Sequence, residues 1–101
     1  MQELMDAIDQ RLQALLSQLC AGLDAPPGQR LRLEGLMEAA VLTGAASEAE
    51  LRSLLAVRYR EAFGRTLEED LGEGWESFFP FPQIPAMARR APVFPSTRDD
   101  L

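Results

Sequence analysis

Apolar residues recur at helical spacing along the first part of the chain. The positions that share one face stand three or four residues apart: Met5, Ile8, Leu12, Leu15 and Leu19. Such intervals are typical of an amphipathic helix with one apolar stripe. Gly22, followed by the proline pair at 26 and 27, marks the stop. The pattern therefore predicts a long first helix from about residue 2 to 22.

A second helix is predicted from about residue 29 to 43, with Gly44 as its C-terminal cap. This segment is rich in small residues, among them Gly35 and Ala40. Small side chains let a neighbouring backbone approach closely, so we expect the second helix to be the central one. The alternative is that base composition alone enriches alanine and glycine in this segment.

The bounds of a third helix are predicted from its capping residues. Ser47 and Glu50 have the spacing of a capping box, in which a hydroxyl and a carboxylate pair with backbone N–H groups at the helix start. Gly64 stands where a C-terminal cap is expected. The same logic recurs just before residue 67 and predicts a short fourth helix at about 67–71.

The composition changes at residue 75. Five of the seven aromatic residues and five of the seven prolines lie between residues 75 and 95. This density of proline excludes a helix or a central strand and favours extended or polyproline II backbone. The predicted fold is all-α: a helical domain over 1–74, with a helical hairpin and a long N-terminal helix, followed by an extended strap over 75–101.

The strap is the first candidate binding element. Its large apolar residues are Trp75, Phe78, Phe79, Phe81 and Ile84. Burying one phenylalanine contributes about 1.5–3 kcal/mol, so these side chains need cover. We expect packing on the chain's own helices, ahead of exchange in a homodimer or docking on another protein. Two Pro-x-x-Pro patterns, at 82–85 and 92–95, also admit a ligand for an SH3-like or WW-like groove.

The first helix is the second candidate. It is predicted to be longer than helices 2 and 3, which would leave part of its stripe uncovered in a monomer. Exposed apolar stripes mark interaction surfaces. We therefore expect a homodimer with Leu12, Leu15 and Leu19 near the seam.

Arg58 is the third candidate, because helical spacing places it within the apolar arc of helix 3. A guanidinium in such a place needs a carboxylate partner. Either Arg58 anchors an acidic group of a partner, or its stem lies on the core while its head reaches a helix-1 carboxylate such as Asp6 or Asp9.

Charge narrows the class of partner. The chain has a net charge of −6, with arginine as its only basic residue type. That field repels phosphate backbones and anionic membranes, so nucleic acid is disfavoured and a protein partner is expected. A helix-turn-helix regulator, resting on Arg52, Arg60 and Arg65, is the alternative. Its register fails because a glutamate, Glu50, stands where an apolar residue is required.

The catalytic inventory is poor. The chain has no histidine, the commonest general base and metal ligand, and a single cysteine, Cys20, without a basic neighbour in sequence. We expect no enzyme, no cofactor and no metal site. One cysteine and no signal-peptide pattern favour the cytoplasm, and the residue usage suggests a GC-rich bacterial genome. The sequence thus predicts a small protein-interaction module: an adaptor, accessory subunit or regulator.

Overall fold

The computed structural model describes residues 2–86, which form an all-α unit without strands. Its elements are α1 (Gln2–Cys20), α2 (Pro27–Leu42), α3 (Glu48–Phe63), α4 (Leu67–Leu71) and a 3₁₀ helix (Glu73–Ser77). Three long helices and a short fourth were predicted, and this fold class is confirmed. Residues 87–101, with the second Pro-x-x-Pro pattern at 92–95, lie outside the described residues.

The capping signals act as the sequence indicates. The Ser47 hydroxyl accepts from the Glu50 backbone N–H at 3.1 Å, and the Glu50 carboxylate accepts from the Ser47 N–H at 2.7 Å. Gly64 closes α3 with a left-handed backbone at φ 71°, a conformation that side chains with a Cβ disfavour. A second capping box, at Thr66 and Glu69, starts α4.

Two boundaries differ from the expectation. The second helix begins at Pro27 rather than near residue 29, because a proline in the first turn loses no hydrogen bond and already has a helical φ. The 3₁₀ helix covers Trp75, where extended backbone was expected. It ends at Ser77, before Pro80, the first proline of the strap, so no proline ring opposes this turn.

The central helix is α1, so the expectation that helix 2 is central was wrong. Within the described residues, α1 packs against both α2 and α3, whereas α2 and α3 scarcely meet. The fully buried side chains at the centre of the core come from all of the helices: Ile8, Leu12, Leu16, Leu33, Met37, Leu51, Leu55, Tyr59 and Leu67. The small residues of α2 therefore do not make it the hub.

The stripe on α1 is covered by the chain itself. Leu12, Leu15 and Leu19 are all buried in the core. They are covered because α2 and α3, with 16 residues each, are nearly as long as α1, with 19 residues, so little of the apolar stripe on α1 lacks a neighbouring helix. These leucines offer no exposed seam, and a homodimer, if formed, must use another surface.

Candidate functional site

The strap residues divide into an inner and an outer set. Trp75, Phe81 and Ile84 are buried in the helical core. Phe79 is half-buried, and Phe78 is 58% exposed. Within residues 75–86 the chain thus packs on its own helices but leaves aromatic surface in water.

Arg30 of α2 makes two contacts with Phe81, one with its ring and one with its backbone carbonyl. The guanidinium lies 5.0 Å from the centre of the Phe81 ring, and its Nη2 donates to the Phe81 carbonyl at 3.3 Å. Glu34 accepts from Arg30 Nε at 2.7 Å and orients the guanidinium. This arrangement fixes the strap against α2. Pro82 is buried there and Pro85 half-buried, so the first Pro-x-x-Pro pattern is not a free ligand.

The outer residues form an apolar surface around the adjacent phenylalanines Phe78 and Phe79, which we call the aromatic surface. One hollow of about 350 Å³ is lined by Phe79 with Val41 and Leu42 of α2. A second, of about 470 Å³, is lined by Phe78 with Leu71, Pro82 and neighbouring residues. Leu42 is 86% exposed, more than any other large apolar residue among those described. Leu42 was not among the predicted site residues, because its only signal in the sequence is its place in the last turn of α2.

A third hollow, of about 550 Å³, continues from the second, because Trp75 and Ser77 line both. We call it the Trp75 groove. Its remaining lining comes from α3, α4 and the 3₁₀ helix: Ala49, Arg52, Ser53, Ala56, Glu68 and Glu76. The second and third hollows are thus continuous. The first shares no lining residue with them and joins the candidate site through Phe79, the neighbour of Phe78 in the chain.

The rim of this site is acidic. Four carboxylates line the three hollows, against the single guanidinium of Arg52. The four are Glu38, Glu48, Glu68 and Glu76. Arg52 is already paired with Glu48 at 3.0 Å. Interaction with the Trp75 indole N–H lowers the pKa of Glu68, which keeps that carboxylate ionised. The site is thus apolar at its centre and negative at its edge.

Arg58 takes the second of its two predicted roles. Its Nε and Nη2 donate to the two carboxylate oxygens of Asp9 at 2.7 and 2.8 Å, and its Nη1 donates to Glu61 at 2.8 Å. Hydrogen bonding with Arg58 lowers the pKa of Asp9, and the same bonds raise the pKa of Arg58. All three nitrogens of the guanidinium are engaged within the chain, so Arg58 ties α3 to α1.

Cys20 is a half-buried residue at the end of α1, and its thiol donates to the Ala62 carbonyl at 3.1 Å. No group of three or more acidic or cysteine side chains within residues 2–86 is placed to hold a metal ion. Among the helices of that same range, none has both the length and the apolar character needed to cross a bilayer.

The candidate site offers apolar faces, carboxylates and N–H donors. Comparison of the chain with models of protein families, with curated proteins and with solved structures gives no match. Its function is therefore argued from its own surface.

Proposed function

We propose that this chain is a small protein–protein interaction module, an adaptor, accessory subunit or regulator, which docks through the aromatic surface. The observation that supports this most is that exposed Phe78 adjoins half-buried Phe79 in the chain, and Phe79 shares a hollow with exposed Leu42. Large apolar side chains grouped on a small folded unit are typical of a contact surface that another protein covers. Trp75 and Phe81, on either side of them in the chain, are buried, so within the described residues Phe78 and Phe79 are not part of a loose tail.

The acidic rim defines the partner's chemistry. Glu38, Glu48, Glu68 and Glu76 surround the hollows, so the complementary surface is apolar at its centre and basic at its edge. A cytoplasmic location belongs to the proposal because the thiol of Cys20 is free, as in reducing compartments. A homodimer was also expected, but through the aromatic surface the acidic rims of two copies would repel each other, so a different protein is the favoured partner.

The alternative function is DNA binding, but two of the arginines on which it rests already form ion pairs within the chain. Arg52 pairs with Glu48 at 3.0 Å and Arg65 with Asp70 at 2.5 Å. Fluorescence anisotropy with random duplex DNA at low salt tests it directly. Tight association that weakens steeply with added salt would favour the DNA-binding regulator over the interaction module.

Site-specific photo-crosslinking tests the interaction module. A photoreactive phenylalanine analogue replaces Phe78 in one variant and Leu23 in the other, two positions with nearly equal exposure of 58% and 59%. Leu23 follows α1 and lines none of the three hollows, so it is a matched control. We expect a discrete adduct from position 78 and none from position 23. An adduct of twice the chain's mass would identify the partner as a second copy.

Binding of the identified partner is then measured with purified proteins. Phe78→Ser is expected to weaken binding at least roughly tenfold, as loss of an interface anchor does, while Leu23→Ser leaves it unchanged. Indistinguishable adducts from the two positions, or equal binding by the two variants, would refute docking at the aromatic surface.

A further inference from the structure

Two buried N–H donors in the Trp75 groove lack a hydrogen bond of ordinary geometry. They are Nε1 of Trp75 and Nε of Arg52. Trp75 is 3% exposed, and both side chains line the same hollow. Buried donors in native proteins are nearly always paired. The Glu68 carboxylate lies near the indole N–H without ordinary hydrogen-bond geometry, so both donors can take a better-placed acceptor from outside the chain.

The charge of the groove selects the kind of acceptor. Glu68 and Glu76 line it together with Arg52, whose charge is already balanced by Glu48. An anionic ligand would therefore meet two carboxylates at close range. A neutral acceptor meets no such repulsion, and the commonest neutral acceptor that one protein offers another is a main-chain carbonyl.

The same two carboxylates favour a ligand that carries a positive charge next to that carbonyl. Glu68 and Glu76 are both exposed, and neither is in an ion pair within the described residues. The continuation of the groove into the hollow lined by Phe78 and Leu71 adds an apolar receptacle next to them. A neutral acceptor, a cation and an apolar side chain in one elongated site are the features of an extended basic peptide.

We propose that the Trp75 groove binds an extended segment of a partner protein, whose main-chain carbonyls accept from Trp75 Nε1 and Arg52 Nε. A lysine or arginine of the segment lies between Glu68 and Glu76, and a large apolar side chain enters the Phe78 hollow. This inference rests on the proposed function and gives the partner's chemistry. The two nitrogens are covered in the free protein, so a groove side chain must turn aside. Glu68, exposed and in contact with the indole N–H, is placed to do so.

Selection from a display library of short random peptides on the full chain provides the probes. We expect the selected sequences to be enriched in peptides that combine lysine or arginine with a large apolar residue. Each selected peptide is then titrated into isotopically labelled protein. Trp75 is the only tryptophan of the chain, so its indole N–H gives a single, unambiguous resonance. A new hydrogen bond to a carbonyl should move that resonance downfield.

Charge variants supply the second measurement and keep the folded core intact. Glu68→Gln and Glu76→Gln are each expected to weaken peptide binding by roughly two- to fivefold, as loss of one exposed ion pair does. Glu73→Gln is the control. It makes the same chemical change on the 3₁₀ helix that carries Glu76, but at a residue that lines none of the three hollows, so it should leave binding unchanged. Trp75→Phe, with its fold checked by circular dichroism, removes the indole donor and should weaken binding further.

The outcomes separate this inference from the proposed function. One outcome would overturn the groove inference alone. In it, peptide binding is lost in Phe78→Ser, is unchanged in Glu68→Gln, and does not move the indole resonance. Docking at the aromatic surface would then stand. Failure to select any binding peptide, or selection of acidic ones, would also overturn the groove inference. A specific crosslink at position 78 would still support the interaction module in both cases.

Discussion

Truncation of Phe81 to alanine tests whether the strap is part of the folded core. The Phe81 side chain is only 4% exposed, and the strap carries it into a hollow beside Leu15 and Leu19 of α1. If the strap stabilises the domain, Phe81→Ala should destabilise the whole chain. Phe78→Ala is the matched control, because it makes the same change three residues earlier at a side chain that is 58% exposed.

The size of the effect follows from burial. A buried Phe→Ala change costs about 3–5 kcal/mol through lost transfer free energy and an unfilled cavity. The site borders a hollow of about 180 Å³, into which neighbouring side chains and water can move, so the lower end applies. Loss of the Arg30 guanidinium contact adds about 0.5–1 kcal/mol. We expect a loss of about 3–4 kcal/mol for Phe81→Ala and less than about 0.5 kcal/mol for Phe78→Ala.

Urea unfolding followed by far-ultraviolet circular dichroism measures the difference. For a small domain, a loss of about 3 kcal/mol lowers the urea midpoint by roughly 1–3 M, a large part of a total stability of about 5–15 kcal/mol. A midpoint for Phe81→Ala as high as that of Phe78→Ala would refute the view that the strap is structural. The burial of Trp75 and Ile84 would then also need another explanation.

Two further predictions concern polar contacts between elements. Tyr59→Phe removes a buried hydroxyl that donates to Asp70 at 2.6 Å, and we expect a loss of about 1–2 kcal/mol in urea unfolding; an unchanged midpoint would contradict this role. Asp9→Asn tests the pair with Arg58. Because the folded-state pKa of Asp9 is lowered from 3.8, its stabilisation is present above that value and is lost as the pH falls through the folded pKa. Acidification should therefore lower the urea midpoint of the wild type more than that of Asp9→Asn, and parallel pH profiles would contradict the assignment.

Helix starts and stops were predictable because their signals are local. The capping box of Ser47 and Glu50, and the glycine at 64, act through backbone groups within three or four residues of themselves. No distant contact is needed to position them. The same holds for the apolar stripe of α1, whose members are buried as their spacing predicts.

The candidate site was less predictable because it depends on how the strap packs against the helices. Phe78 and Phe81 are the same residue type, three positions apart, yet one is exposed and the other buried. A proline-rich segment lacks the regular periodicity that marks an inner face, so only its contact with Arg30 and α1 separates them. Likewise the sequence offers Asp6 and Asp9 as partners for Arg58, and only the crossing of α1 and α3 selects Asp9.

The central position of α1 affects how the chain tolerates change during evolution. Each inward residue of α1 lies in a helix that supports both α2 and α3, so a substitution there disturbs two contacts at once. A substitution on α2 leaves the contact between α1 and α3 in place. Sequence drift should therefore be slowest along α1 and fastest at exposed positions such as Leu42 and Phe78, where the docking surface can diversify while the N-terminal helix preserves the fold.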